Sequence, residues 1–143
     1  MIVYAESSAV LALLLGEDSS WAVRSILADA AYVVSSDLTI VECDRSIYRA
    51  YDLEQLTQEQ LASQRQRLRS ITSSWVMLRL NEGIIATARG AIPGGPIRSL
   101  DALHLASAIY ARMLMPETVV LTLDQRVEKC AVALGFATLP SAS

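Results

Sequence analysis

The segment Ile2-Val3-Tyr4-Ala5-Glu6-Ser7-Ser8 decides the fold, because a strand-forming run passes without a linker into a helix start. Ile2 to Ala5 are residues that a buried strand contains. Glu6-Ser7-Ser8 supplies side chains typical of a helix N-cap, and the apolar run Ala9 to Leu15 follows, ended by Gly16. A buried strand that runs into a helix is the unit of a parallel sheet, and its carboxyl end is where such sheets bind ligands.

The same alternation of strand and helix patterns continues to the end of the chain. Further strands are predicted at Tyr32–Ser35, Trp75–Leu78, Thr118–Leu121 and Phe136–Leu139. Helices are predicted at Trp21–Leu27, Thr39–Arg49, Thr57–Ile71, Glu82–Arg89, Ser99–Met113 and Asp124–Leu134, with a proline- and glycine-rich loop at Ile92–Ile97. Apolar strands separated by helices indicate an α/β fold, a three-layer α/β/α sandwich around a central, mostly parallel five-stranded sheet.

Size and composition predict a folded, cytoplasmic protein. A chain of 143 residues is the ordinary size for one domain, so we expect residues 1–143 to form a single domain. The longest apolar run, Ala9 to Leu15, is shorter than the about 20 residues that a bilayer requires. The N-terminal sequence lacks the basic start of a signal peptide. Cys43 and Cys130 are far apart and fit no metal spacing, so we expect reduced, buried thiols.

The charge of the chain restricts the kind of nucleic-acid contact that it can make. A net charge of −3 argues against a protein that coats duplexes through a broad basic surface. A nuclease whose acidic site is neutralised by metal remains compatible with that charge. Eleven of the 12 basic residues are arginines, with Lys129 as the lysine. Arginine binds phosphate well, but a general composition bias explains the same count, and the sequence leaves both explanations open.

Four acids are predicted at the carboxyl edge of the sheet. Glu6 follows the first strand directly, and Asp124 follows the fourth after Thr122-Leu123. Glu42 and Asp101 are each expected in the first turn of a helix. An acid in a first turn is also favoured by the helix dipole, by about 0.3–1 kcal/mol, so each one taken alone has a structural explanation.

The four acids taken together point to a cation. Carboxylates about 4 Å apart repel each other by roughly 4 kcal/mol at an effective dielectric constant of 20. A fold that collects several of them must bind a cation or protonate some of them. Because the ligands are all oxygens, the cation is expected to be Mg²⁺ or Mn²⁺ rather than Zn²⁺.

The sequences around these acids resemble those of PIN domains, and in particular the VapC-type toxins of bacterial toxin–antitoxin pairs. The likeness rests on segments in the family's order, of which the Asp-Ala-Leu-His-Leu-Ala run is the strongest: Tyr4–Ala9, Leu38–Glu42, Leu100–Ala108 and Leu121–Arg126. The resemblance implies a divalent-metal endoribonuclease that leaves 5′-phosphate and 3′-hydroxyl ends, and an antitoxin partner. It assigns the family's acids, as metal ligands and catalytic groups, to Glu6, Glu42, Asp101 and Asp124.

One position departs from the family pattern. The first acid of the family is usually Asp, and this chain has Glu6. The added methylene moves the carboxylate by roughly 1 Å, a displacement that costs about a hundredfold in rate unless the backbone compensates. The alternative function is therefore a PIN-like binding module with weakened catalysis. A phosphoryl-accepting regulatory domain is disfavoured because Lys129 lies inside a predicted helix rather than beside the last strand.

Several polar residues are candidates for supporting roles. Ser7 is expected to orient Glu6, to contact a phosphate or to cap the first helix, and Ser35 and Thr39 are expected to support Glu42. Arg98 and Arg126 are candidate phosphate contacts, with surface solvation as the other explanation for both. His104 is expected to be a packed, hydrogen-bonded residue, because a di-iron site would need a second acid–His pair.

The apolar content of 52% predicts surfaces that bind other chains. The first helix is apolar nearly all round, and Trp21 begins the next one. We expect a groove between the helices from Ala9 to Leu27 and the helix around Leu56 to Leu68, which would accept an antitoxin helix. Leu14 and Trp21 are predicted to line it, and a separate apolar surface would support a homodimer. The alternative is that the sandwich buries both helices.

Overall fold

A computed structural model describes residues 1–141 and has a five-stranded, all-parallel sheet in the order β3-β2-β1-β4-β5. The strands are β1 (Ile2–Ala5), β2 (Tyr32–Ser36), β3 (Val76–Leu78), β4 (Thr118–Leu121) and β5 (Thr138–Leu139). In the centre, Tyr4 pairs with Val34 of β2 on one side and with Val120 of β4 on the other. The strand order therefore reverses at β1, and the sheet has its switch point between β1 and β4.

Helices cover both faces of the sheet. They are α1 (Ser7–Leu15), α2 (Ser20–Asp29), α3 (Asp37–Asp52), α4 (Gln58–Thr72), α5 (Glu82–Ala88), α6 (Ser99–Leu114) and α7 (Gln125–Ala133). Helices α1 to α4 pack with one another, and α6 packs with both α5 and α7. The predicted three-layer α/β/α sandwich is confirmed. Within residues 1–141, no helix combines the length and apolar character that crossing a membrane requires.

The central strand β1 holds the two halves of the core together. Its side chains alternate between the faces, and all four are buried. Ile2 and Tyr4 join the cluster formed with α6 and α7, whereas Val3 and Ala5 join the clusters formed with α1 to α4. Because both faces of β1 are buried, a shift of its register would move its side chains out of their packing positions in the core. The register is therefore fixed, and it fixes the position of Glu6 at the end of the strand.

The predicted elements agree with the structure except at their ends. The largest consequence concerns Glu42, which was expected in the first turn of its helix and instead lies in the second. The expectation was wrong because α3 begins at Asp37, directly after the extended residue Ser36, rather than at Thr39. Asp37 is the first-turn acid that favours this earlier start.

The first helix is more deeply buried than expected. Leu14 is 1% exposed and packs in the core, so its predicted place in an open groove is wrong. Leu15 is 47% exposed and Trp21 is 77% exposed, which agrees with the expectation that part of this surface is open. The sandwich buries α1 because its apolar residues cover nearly its whole circumference.

The loop between α5 and α6 places the start of α6 against α7. Gly94 has φ +108°, and a Cβ built on it would lie 2.7 Å from the Cα atom of Cys130 in α7. Only a residue without a side chain fits this close approach. The loop then leads directly to Arg98 and Asp101.

We expect Gly94→Ala to lower the free energy of unfolding by at least about 1–3 kcal/mol, because it adds both backbone strain and steric overlap. Thermal unfolding followed by circular dichroism measures the effect. The control is Gly83→Ala in α5, where the nearest atom is 3.4 Å away. That change should be neutral or stabilise by about 0.5–1 kcal/mol. Equal melting temperatures for the two variants would contradict the close packing.

Candidate functional site

A cleft of about 460 Å³ lies at the carboxyl edge of the sheet, beside the switch point between β1 and β4. The four acids predicted from the sequence all line it: Glu6, Glu42, Asp101 and Asp124. They come from four different parts of the chain, and the winding of the sheet brings them together. Ser7, Ser8 and Arg98 also line the cleft, with Leu11 as an apolar wall.

Glu6 is the most enclosed of the four acids. Its side chain is 3% exposed and acts as the N-cap of α1. Oε2 accepts hydrogen bonds from the Ser7 hydroxyl at 2.8 Å and from the Ser8 amide at 2.6 Å. Oε1 accepts from the Ser8 hydroxyl at 2.8 Å and from the Thr122 hydroxyl at 2.7 Å. Four donors therefore surround the carboxylate, although no cationic side chain is among them.

Glu42 is held by a buried chain of hydrogen bonds. Its Oε1 contacts Nε2 of His104, whose Nδ1 lies 3.1 Å from the Tyr4 hydroxyl; that hydroxyl donates to Ser36 at 3.2 Å. Burial alone would raise the pKa of Glu42, but His104, with help from Ser7, brings this pKa below its ordinary value. Glu42 is therefore ionised at neutral pH and fixed in one orientation.

Asp124 and Asp101 have different surroundings. Asp124 caps α7, and its Oδ1 accepts from the Arg126 amide at 2.8 Å and from the Val127 amide at 3.3 Å. Asp101 lies in the first turn of α6, with its side chain 14% exposed. Burial and the nearby charge of Asp124 raise the pKa of Asp101, against the smaller opposing effect of Arg98. The cleft thus disfavours a negative charge on Asp101.

The donor set suits a hard divalent cation in its chemistry. Oδ2 of Asp101 is buried and has no hydrogen-bond partner, and the nearest cationic atom, Nε of Arg98, is 4.0 Å away. An unpartnered carboxylate oxygen among other carboxylates is the arrangement that a cation relieves. Within residues 1–141, however, no three acid, His or Cys side chains converge closely enough to hold a metal ion as they lie. Glu6 and Glu42 are directed instead into their own hydrogen bonds.

The predicted supporting residues have unequal relations to the cleft. The Ser7 hydroxyl donates a hydrogen bond to Glu6 at 2.8 Å, a contact that can orient the carboxylate. Thr39 is buried and hydrogen-bonds with Ser35, whose hydroxyl donates to the carbonyl of Ala5 at 2.7 Å. These two residues support the end of β1 rather than Glu42. Arg98 lines the cleft with a side chain 74% exposed, whereas Arg126 is exposed in the first turn of α7 and does not line it.

Three contacts were missed by the sequence reasoning. His104 is packed and hydrogen-bonded as expected, but its partner Glu42 was not foreseen. Thr122 and the Ser8 side chain contact Glu6, although neither was singled out for this role. The position of Thr122, two residues before Asp124 and directly after β4, is a signal that it lies near the acids at the carboxyl edge of the sheet. The contact itself depends on strand order, which the sequence does not state.

Comparison with known proteins places these features in a family. The PIN domain family model matches residues 3–133. Ribonuclease VapC35 from Mycobacterium tuberculosis is 33% identical over 144 residues, an alignment that covers 96% of each chain.

Solved structures show the same fold at low sequence identity. FitAcB from Neisseria gonorrhoeae matches with a TM-score of 0.72 and 19% identity, over 96% of each chain. VapBC2 from Rickettsia felis matches with a TM-score of 0.67 and 12% identity, over 96% of this chain and 97% of that one. That structure was solved with VapBC2 bound to a DNA fragment from its promoter. The family model matches most of the chain, and VapC35 is similar to it over nearly the full length of both. The chain therefore belongs to the PIN domain family, among its VapC-type members.

Proposed function

We propose that this protein is a cytoplasmic, Mg²⁺- or Mn²⁺-dependent endoribonuclease that acts as the toxin of a toxin–antitoxin pair. The observation that carries the proposal is the cleft in which Glu6, Glu42, Asp101 and Asp124 come together at the switch point of the sheet. The full-length likeness to a VapC ribonuclease supports RNA as the substrate. The net charge of −3 is consistent with a small acidic site that a cation neutralises.

The acids with oxygens left for a cation are Asp101, Asp124 and Glu42. Oδ2 of Asp101 lacks a partner, and the capping hydrogen bonds of Asp124 go to its Oδ1. Glu42 is bound by His104 through Oε1. A divalent cation at this place would stabilise the negative charge that develops on the scissile phosphate. Small rotations of these side chains would be needed for them to converge.

Besides helping to hold the cation, Glu42 would orient the attacking water, and Arg98 would bind the substrate. Glu42 is kept ionised by His104, so it can accept a hydrogen bond from the attacking water and fix its direction. Arg98 is at the mouth of the cleft, where its guanidinium can contact a phosphate oxygen. Leu11 supplies an apolar wall that limits access of water on one side.

A binding module with weakened catalysis is the second candidate function. The observation that favours it is the hydrogen-bonded state of Glu6, which stands where the family usually has Asp and whose two oxygens are both engaged by donors. The two functions differ in one measurable property, because only the endoribonuclease would lose RNA cleavage when the cation is removed.

The proposed antitoxin would bind beside α1, α2 and α4. Trp21 is 77% exposed at the start of α2, and large exposed aromatic residues are frequent in binding sites. Helix α4 lies next to α1, where Arg67 donates to the carbonyl of Leu14 at 3.3 Å. Likeness to the VapBC2 and FitAcB structures supports a protein partner of this kind. Other exposed apolar residues, such as Met113 at 76%, would serve a homodimer.

The charge repulsion in the metal-free cleft predicts a pH dependence. The pKa of Asp101 is higher in the folded chain than in the unfolded chain. As the pH rises from the ordinary carboxyl pKa through this raised pKa, the ionisation of Asp101 therefore lowers the free energy of unfolding. In EDTA, we expect Asp101→Asn to have a higher melting temperature than the wild type at neutral pH. The difference should vanish when acid protonates Asp101. A variant less stable than the wild type at every pH would contradict this.

Metal dependence is tested by cleavage of a fluorogenic RNA. We expect millimolar Mn²⁺ to raise the melting temperature with the logarithm of its concentration, and EDTA to abolish cleavage. Asp101→Asn should lose at least about a hundredfold in rate, because a ligand is lost. The control, Asp52→Asn, removes an exposed acid outside the cleft and should cleave at the wild-type rate. Cleavage that survives EDTA would exclude the metal mechanism.

The partner surface is tested by co-expression of this chain with the product of the neighbouring gene. We expect Trp21→Ser to weaken binding about tenfold or more, because a buried interface tryptophan contributes about 2 kcal/mol or more. Met113→Ser changes an equally exposed residue near the C-terminal end of α6, away from Trp21 in the sequence, and should bind normally. Undiminished affinity of a folded Trp21→Ser protein would place the partner elsewhere.

A further inference from the structure

The hydrogen bonds of Glu6 fill its capacity as an acceptor. A carboxylate has two oxygens with about four lone-pair positions. Each oxygen of Glu6 accepts two hydrogen bonds, at distances between 2.6 and 2.8 Å. With the side chain 3% exposed, Glu6 can bind a cation only by giving up one of these bonds. In this respect it differs from Asp101, whose Oδ2 is buried and unpartnered.

The hydroxyls that donate to Glu6 also hold the loop that carries Asp124. The Ser8 hydroxyl accepts from the Leu123 amide at 2.9 Å, and the Thr122 hydroxyl accepts from the Asp124 amide at 3.1 Å. An ionised carboxylate only accepts, so it fixes both hydroxyl protons toward itself and leaves the hydroxyl lone pairs for the two amides. The backbone amide of Glu6 donates to Leu121 at 3.0 Å, which ties the same two strands together.

The length of the Glu side chain suits this bridge between β1 and β4. An Asp at position 6 would withdraw the carboxylate by about 1 Å, enough to stretch a 2.7 Å contact with Thr122 beyond hydrogen-bond range. A Gln would place an NH₂ donor where two groups now donate to an oxygen, so the hydroxyls on that side would have to turn and the two sides of the carboxylate would no longer be equivalent. Both changes would release the hydroxyls of Ser8 and Thr122 from their present orientation.

We propose that Glu6 is a positioning residue for Asp124 and not a metal ligand. Its saturated carboxylate orients Ser8 and Thr122, which hold the backbone of residues 122–124. Asp101, Asp124 and Glu42 would then be the residues that hold the cation. This inference rests on the proposed metal-dependent function, and it gives a physical reason for Glu in place of the family's usual Asp.

The melting temperature of the metal-free protein distinguishes a positioning residue, which stabilises the fold without metal, from a metal ligand. Glu6→Gln replaces one of the two acceptor oxygens by an NH₂ group, which leaves two of the four donors without an acceptor. We therefore expect its melting temperature in EDTA to fall by about 4 °C or more. Asp101→Asn only relieves repulsion and should melt at or above the wild-type temperature. A Glu6→Gln protein that melts at or above the wild-type temperature would overturn the proposal, because relief of repulsion is what replacing a ligand acid produces.

The affinity for Mn²⁺, measured by calorimetry, tests the action on Asp124. We expect Glu6→Asp to bind Mn²⁺ about tenfold more weakly than the wild type, as loss of a residue that orients a ligand does. Val10→Ala is the control, since Val10 is fully buried in α1 and the change lowers stability without touching these hydrogen bonds. It should keep wild-type affinity. Equal or tighter binding by Glu6→Asp would show that position 6 is a ligand position.

Thr122 separates the hydroxyl network from general destabilisation. Thr122→Val removes the hydroxyl and should weaken Mn²⁺ binding to the level of Glu6→Asp, whereas Thr122→Ser keeps the hydroxyl and should restore it. Equal affinities for the two variants would overturn the proposed route from Glu6 to Asp124. If the wild type binds no Mn²⁺, the proposed metal-dependent function fails. The melting temperatures in EDTA still decide whether the hydrogen bonds of Glu6 hold the fold together.

Discussion

Mutual repulsion of four carboxylates at one edge of the sheet is the constraint on which the rest of the site depends. The fold meets it differently for each acid. Hydroxyls and an amide surround Glu6, His104 holds Glu42, and backbone amides at the start of α7 hold Asp124. Asp101 is left with an unpartnered oxygen and a raised pKa. The unrelieved charge is thus concentrated on one residue of the cluster, which is where a bound cation would contribute most.

The position of the cleft follows from the topology of the sheet. Strand β1 is central, and the chain continues to β2 on one side before it returns to β4 on the other. The helices that leave β1 and β4 diverge from this point, so a cleft opens between them. Burial of β1 on both faces keeps its register fixed, and the geometry at Glu6 is correspondingly well defined.

Helix capping and site construction use the same side chains in this protein. Glu6 caps α1 and Asp124 caps α7, as the dipole preference for acids at helix starts predicts. The capping hydrogen bonds also determine which oxygens are available to a cation: one oxygen of Asp124 has no capping partner, whereas both oxygens of Glu6 are engaged. The structural explanation of an acid at a helix start and its functional explanation are therefore not exclusive.

The sequence by itself determined the type and order of the elements, because buried strands, capping residues and glycine–proline loops are local signals. It also predicted that four acids meet at one edge of the sheet, where they line a cleft, since each directly follows a strand or lies early in the helix after a strand or loop. Only the tertiary structure decided that Leu14 is buried while Trp21 is exposed, because that depends on which helix faces the packing covers. The contacts of Glu6 with Thr122 and of Glu42 with His104 join residues 116 and 62 positions apart. Strand order and helix packing create them, and no local pattern in the chain encodes either.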